Sequence, residues 1–277
     1  GDLYIAGDFL DLGDTNGNRI VKVDISTGTV SSLSLGLSSI GSGVHAIAID
    51  SNGDVYVGGS FSNASGVSGT AFIAKWNGTG WSALSTGLNN TVRALAFAPN
   101  GDLYIGGLFT DAAYPYLCKW NGTAFSVVGT NTDINNYVYM LAFGATGYLY
   151  VGGNFTNAGG VAEADYIAKW TGSNWEALGT GTNGTVTNLV IHDGKVYATG
   201  LFTVAGGLTL TDRVAVWSNG AWQPLDIDLP GTAAVYSILP ASDDSLYIGG
   251  EFSTATHSMN AKTGIVALNL NVASASA

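Results

Sequence analysis

The sequence predicts an all-β chain, a β-propeller of six four-stranded blades. Two observations carry this reading. A Tyr-x-Gly-Gly-x-Phe segment returns at blade-length intervals, and each interval holds four strand-sized segments separated by turn signals. The motif phenylalanines fall at 9, 61, 109, 155, 202 and 252, with spacings of 52, 48, 46, 47 and 50 residues. That period matches a propeller blade and exceeds a leucine-rich or tetratricopeptide unit.

The third interval shows the four strands most plainly. Val92–Phe97 reads as strand A, and Asn100-Gly101-Asp102 is a hairpin turn signal. Leu103–Phe109 is strand B, and a variable loop leads to strand C at Leu117–Trp120. Asn121-Gly122 is a second turn signal, and Phe125–Val128 is strand D. The same order recurs in Ala74-Lys75-Trp76-Asn77-Gly78 with Trp81, in Ala168-Lys169-Trp170 with Trp175, and in Val216-Trp217 with Trp222. No helical period competes with this pattern. The repeat units are 1–43, 44–91, 92–137, 138–185, 186–234 and 235–277, forming one domain over 1–277. The first unit lacks a strand A. The last has no evident strand D: either Asn271–Ala277 closes the ring, or some strands lie outside the chain.

The glycine pair inside strand B permits close approach of a neighbour, expected here to be an aromatic ring. The repeat tryptophans, tyrosines and phenylalanines are accordingly read as packing between blades rather than as a ligand-stacking set.

Composition narrows the function classes. Acidic residues outnumber basic ones 20 to 9, for a net charge of −11. Such a chain repels phosphate backbones, so a nucleic-acid partner is not expected. No apolar run is long enough to span a bilayer, so membrane insertion is not expected. One cysteine, Cys118, allows no internal disulfide. Scarce lysine with abundant Ser, Thr, Asn and Gly points to an extracellular, cell-surface or virion setting. The chain starts at Gly1, which reads as a processed protein or a piece of a longer chain or assembly.

The run Tyr-x-Gly-Gly-x-Phe-Thr, then Ala-Lys-Trp-Asn-Gly-x-x-Trp-x-Ala-Leu-Gly, then Asn-Gly-Thr-Val-x-x-Leu resembles tandem propeller repeats. These are the kelch and galactose-oxidase central-domain group, the delta-60-type repeats, and repeats of fungal cortical-marker, bacterial surface and phage tail proteins. The resemblance covers nearly the whole chain and implies a recognition or scaffolding module, usually extracellular. The first repeat departs from it at Asp24–Gly28, and the last has no tryptophan.

Short A–B and C–D turns leave one end of each blade little material for a site. The B–C and D–A connections are longer and vary, as over 130–137, 156–166 and 203–213, and function concentrates in such loops. At that end, strand A carries a valine followed by a changing residue: His45, Arg93, Tyr139, Thr187 and Tyr236. This set is the candidate binding site, for a glycan or a protein partner.

Catalytic and metal motifs are not expected. His45, His192 and His257 occupy non-equivalent positions, without a zinc spacing. Cys118 replaces the alanine of Ala-Lys-Trp and reads as a buried structural thiol. Asp8 and Glu251 share one motif position in the first and last repeats, and a carboxylate pair is the equipment of a glycosidase. No cofactor is predicted. Asp11, Asp14, Asn16 and Asn18 have the chemistry for Ca2+ but not an EF-hand spacing, and turn formation accounts for them as well. Asn-x-Ser/Thr sequons stand at Asn63, Asn77, Asn89, Asn121, Asn154 and Asn183.

Overall fold

The computed structural model describes residues 1–10, 18–209, 213–225, 235–241, 245–251 and 265–269, with backbone alone at 39–42 and 265–269. The chain gathers into two compact units, 1–132 and 133–277.

In the first unit, β1 (Asp2–Ala6), β2 (Ile20–Asp24) and β3 (Val30–Ser32) form a three-stranded antiparallel sheet. A four-stranded meander follows, of β4 (Leu37–Ile49), β5 (Val55–Ala64), β6 (Ile73–Trp76) and β7 (Trp81–Ser82). The next meander is β8 (Val92–Phe97), β9 (Leu103–Gly107), β10 (Leu117–Trp120) and β11 (Phe125–Val127). It reproduces the four segments read from the sequence to within two residues. β4 begins at Leu37, ahead of the repeat boundary drawn at 43/44.

The second unit repeats the plan. β12 (Val138–Phe143), β13 (Leu149–Gly153), β14 (Ile167–Trp170) and β15 (Trp175–Ala177) form one four-stranded sheet. β16 (Val186–His192), β17 (Lys195–Gly200), β18 (Val214–Ser218) and β19 (Ala221–Pro224) form another. β20 (Val235–Pro240), β21 (Ser245–Gly250) and β22 (Ile265–Asn269) form a three-stranded sheet. Among the described residues the first sheet thus has strands B, C and D, and the last has A, B and C. Phe252 and the closing segment Asn271–Ala277 lie outside the described residues.

Within each unit, successive sheets pack face to face. Ile20 and Leu33 of the first sheet meet Leu37, Val44, Val57 and Phe61 of the second, all buried. In the second unit, Tyr197 and Val216 meet Val235, Ile238 and Ile248. The motif residues Phe61, Phe109, Phe155 and Phe202 are fully buried. Cutting such a side chain to alanine costs about 3–5 kcal/mol. The tryptophans of strands C and D lie together in each complete sheet but one: Trp76 with Trp81 at 5.4 Å, Trp170 with Trp175 at 5.2 Å, and Trp217 with Trp222 at 5.6 Å. In the third repeat Phe125 takes the strand D place, 4.8 Å from Trp120. The strand D indoles also bond outside their own sheet. Trp81 Nε1 donates to Leu33 O at 3.0 Å, and Trp175 Nε1 donates to Asp133 Oδ2 at 2.9 Å. The reading of the tryptophans as packing between blades matches this arrangement.

The role expected of the glycine pair needs correction. A Cβ on the second glycine would meet strand A backbone: Gly43 O from Gly59, Thr91 O from Gly107, Tyr137 O from Gly153, and Thr185 O from Gly200. A Cβ on the first would meet a valine of the following sheet, Val92 from Gly58 and, at 2.8 Å, Val186 from Gly152. The neighbour in the later repeats is therefore backbone or valine, with the motif's own ring alongside, Phe109 beside Gly107 and Phe155 beside Gly153, while in the first repeat Gly7 faces only the ring of Phe9. This explains why the second position stays glycine while the first holds Ala6 and Thr199 in two copies. A carbonyl fixed in a ladder cannot yield, whereas a neighbouring side chain can adjust. Glycine makes room for indoles elsewhere, at Gly159 against Trp175 and Gly206 against Trp222.

Candidate recognition face

Each complete sheet has two unlike ends. At the A–B and C–D end, turns are closed by side chains. Asn77 Oδ1 accepts from the backbone N–H of Thr79 and Gly80, and Asn121 Oδ1 accepts from those of Thr123 and Ala124. The lysine of Ala-Lys-Trp is likewise occupied: Lys75 pairs with Asp54 at 2.6 Å and lies over the Tyr56 ring, and Lys119 pairs with Asp102 at 3.2 Å.

The opposite end is held by two recurring devices that the sequence motif does not announce. The residue entering strand C has a left-handed φ although it is bulky: Arg19 (68°), Phe72 (64°), Tyr116 (63°), Tyr166 (60°) and Arg213 (62°). Such a conformation costs about 1–2 kcal/mol and persists only where its surroundings enforce it. Here two backbone bonds do so. The N–H of Tyr166 donates to Phe155 O, and its carbonyl accepts from Gly153 N–H, both at 2.9 Å. Equivalent pairs hold Arg19, Phe72, Tyr116 and Arg213. The second device joins the two long loops of a blade. Asn89 Oδ1 accepts from Thr110 N–H, Asn135 Oδ1 from Thr156 N–H, and Asn183 Oδ1 from Thr203 N–H, at 2.9–3.0 Å. An asparagine 20 or 21 residues before the threonine that follows the motif phenylalanine was the available signal. Of the six sequons, Asn89 and Asn183 belong to these clamps. Asn63 caps its loop by accepting from Gly66 N–H, and Asn154 accepts from Thr185 Oγ1.

Between these devices strand A is bulged at the same place in five sheets. Val92 pairs with Gly107 and Ala94 with Gly106, which leaves Arg93 as the extra residue. His45, Tyr139, Thr187 and Tyr236 are the extra residues between Val44 and Ala46, Val138 and Met140, Val186 and Asn188, and Val235 and Ser237. A bulge bends its strand and re-aims the inserted side chain. All five candidate residues thus share one structural origin, beside valines that are buried in every copy. Tyr236 is 57% exposed and the other four are half-buried.

In the first unit, His45 and Arg93 come together. Ser60 Oγ lies 3.3 Å from His45 Nε2. Burial, and then the positive charge of Arg93, hold the His45 imidazole below its ordinary value, against a smaller opposing effect of Asp8. In the second unit, Thr187 Oγ1 donates to Thr199 O and Val235 O at 3.4 Å, and Asn188 Nδ2 donates to Tyr236 O at 3.3 Å. The Tyr236 hydroxyl donates to the Glu251 carboxylate, which raises the phenol above its usual value. Tyr139 stands edge-on to Tyr137, with ring centroids 6.4 Å apart.

In two repeats the residue between the glycine pair and the phenylalanine, Ser60 or Glu251, is therefore the partner of the bulge residue. Its variability inside a constant motif was the signal for it. Asp8 and Glu251 each have a partner, Arg19 at 4.0 Å and Tyr236 respectively, and they fall in different units. Cys118 is fully buried, and burial pushes its thiol far above the usual range, as expected of a structural cysteine. His192 lies at the end of β16, 3.6 Å from Asp193, while His257 is outside the described residues. So are Asp11, Asp14 and Asn16. Asn18, the described member of that set, is a donor through Nδ2 to Leu35 O. Among the described residues no group of three His, Cys, Asp or Glu could hold a metal ion. No helix among them is long and apolar enough to cross a membrane.

Comparison with solved structures supplies the fold. The computationally designed Ika8 protein is 19% identical, with a TM-score of 0.53 over 85% of this chain and 63% of that one. YCF48, in a structure with a D1 peptide, is 16% identical, with a TM-score of 0.55 over 93% and 73%. The GH74 xyloglucanase of Xanthomonas campestris is 15% identical, with a TM-score of 0.57 over 89% and 40%. The chain is a β-propeller. At these identities the likeness extends to the fold alone. The propeller spans less than two thirds of the length of both Ika8 and the xyloglucanase. No protein-family model matches the chain, and no curated protein matches it either.

Proposed function

We propose that this propeller is a non-enzymatic recognition module, exposed outside a cell or on a virion, that binds a glycan or protein partner. The binding end is the one bearing the B–C and D–A loops. The supporting observation is the repeated bulge. A constant backbone device presents His45, Arg93, Tyr139, Thr187 and Tyr236, five side chains of four chemical kinds, from one equivalent site per sheet. Varying contact residues on a fixed frame is how a scaffold acquires specificity without altering its core. The asparagine clamps support this reading, because loops already held in place lose less entropy on binding.

Glycan and protein arrays probed with the purified chain test the proposal. Arg93→Ala and Tyr139→Ala should each weaken binding by at least about tenfold, the loss of roughly 1.4 kcal/mol. Asn77→Ala, at the far end, should leave binding unchanged. A partner bound equally by all three variants would overturn the assignment of the face. Absence of any partner would favour a purely structural module of a larger surface assembly. Glycan cleavage abolished by Glu251→Gln would favour an enzyme.

A further inference from the structure

Arg93 differs from five of the other basic side chains. Arg19, Lys22, Lys75, Lys119 and Lys169 each lie within 4.0 Å of a carboxylate. Arg93 is half-buried and has no ion-pair partner among the described residues, and its Nε is sealed from solvent without a hydrogen-bond acceptor. An uncompensated, partly desolvated cation is costly, and a buried donor left unmatched calls for an explanation. This cation persists in a chain of net charge −11, where acidic residues are plentiful. Asp8, the carboxylate that acts on the neighbouring His45, lies 4.0 Å from Arg19 and its side chain is 65% exposed.

Building on the recognition reading above, we propose that Arg93, His45 and Ser60 form the seat for the carboxylate of an acidic sugar, a uronic or sialic acid residue. The guanidinium supplies a planar fork of donors matched to a carboxylate. The imidazole and the Ser60 hydroxyl, already 3.3 Å apart, supply neutral hydrogen-bonding groups for adjacent sugar hydroxyls. One guanidinium beside a mostly neutral imidazole balances a single negative charge, since Asp8 is matched by Arg19. A dianionic phosphate would be left half neutralised. An acidic peptide carrying several carboxylates would meet the repulsion of the whole chain, whereas one acidic residue in an otherwise neutral oligosaccharide meets far less of it.

The test compares methyl glucuronide with methyl glucoside, inorganic phosphate and an acidic peptide, followed by NMR of the His45 ring and by calorimetry. The groups facing that ring are Arg93 on β8, Asp8 beyond β1 and Ser60 on β5. The glucuronide should bind with a Kd on the order of 1 mM, as befits one sugar. It should weaken with added salt and should raise the pKa of His45 by placing a negative charge beside it. Arg93→Gln should abolish all three effects, with Arg93→Lys retaining part of them, at a thermal midpoint no lower than that of the parent protein. Equal binding of the glucoside, tighter binding of phosphate or of the acidic peptide, or unaltered binding by Arg93→Gln would each overturn the site. If acidic sugars fail while a neutral glycan binds and is lost in Tyr139→Ala, only this inference falls. If no glycan or protein binds, the recognition reading falls with it.

Discussion

The indole Nε1 of Trp222 donates a 2.7 Å hydrogen bond to the carbonyl oxygen of Leu178, at the outer edge of the preceding sheet. Both residues are buried, so no water can replace the bond. Trp81 and Leu33 repeat the relationship at 3.0 Å in the first unit. Trp222→Phe keeps an aromatic ring but removes the donor and strands the carbonyl. The variant should lose about 1–2 kcal/mol, read as a lower urea midpoint. A midpoint equal to that of the parent protein would show that ring packing alone joins these sheets.

Gly200→Ala should be more damaging than its single methyl suggests. The added carbon would run into Thr185 O, which is itself fixed by Leu201 N–H at 2.8 Å. A cost of about 2–3 kcal/mol is expected, as for overpacking against groups that cannot move. Gly194→Ala, in the turn that starts the same strand, meets no atom within 4 Å and suffers only from its φ of +71°. It should cost about 1–2 kcal/mol. Thermal melts of the two variants give the comparison, and equal losses would refute the steric account of the motif.

The His45 imidazole links stability to pH. Its folded pKa lies below the ordinary value of about 6.5. The unfolded chain therefore binds a proton before the folded one does. Stability contributed here is complete above about pH 6.5 and falls with pH until the folded pKa is reached. Denaturation profiles of the parent protein and of His45→Gln should diverge below about pH 6.5, with the variant losing less. Parallel profiles would mean that His45 titrates normally.

Cys118 should resist thiol reagents in the folded protein. It is buried, and burial disfavours the reactive thiolate. Labelling at mildly alkaline pH should proceed only as fast as the chain opens, and denaturant should release it. Cys118→Ala should cost no more than about 1.5 kcal/mol, since Ala74, Ala168 and Ala215 occupy the corresponding place in three other repeats. Rapid labelling of the folded chain would contradict the burial.

The strand pattern of the third repeat was legible almost to the residue, because Asn-Gly turns and apolar runs are local signals and the period supplied five further copies. Cys118 and the strand tryptophans could be read for the same reason, since a core position declares itself by recurrence. The reason for Gly59 and Gly153 could not be read. It lies in a register shift on the neighbouring strand, and no local propensity encodes which carbonyl will cross a given Cα. The bulge residues were visible as changing positions after a constant valine. That Arg93 is unpaired, or that Thr187 reaches Val235, depends on distances that only assembled sheets possess. Tyr116 and Tyr166 were less legible still, for nothing about tyrosine suggests a left-handed backbone.

The bulge also separates inheritance of shape from inheritance of contact. The inserted residue lies outside the ladder register, so the pairing of strands A and B does not depend on its identity. His45, Arg93, Tyr139, Thr187 and Tyr236 can therefore change singly without renegotiating the fold. A duplicated blade arrives with its own vacant slot for chemistry. Lineages of such repeats can drift from one partner to another while the glycines and phenylalanines beneath stand still, and a combinatorial library at the same five positions would exploit the identical freedom in the laboratory.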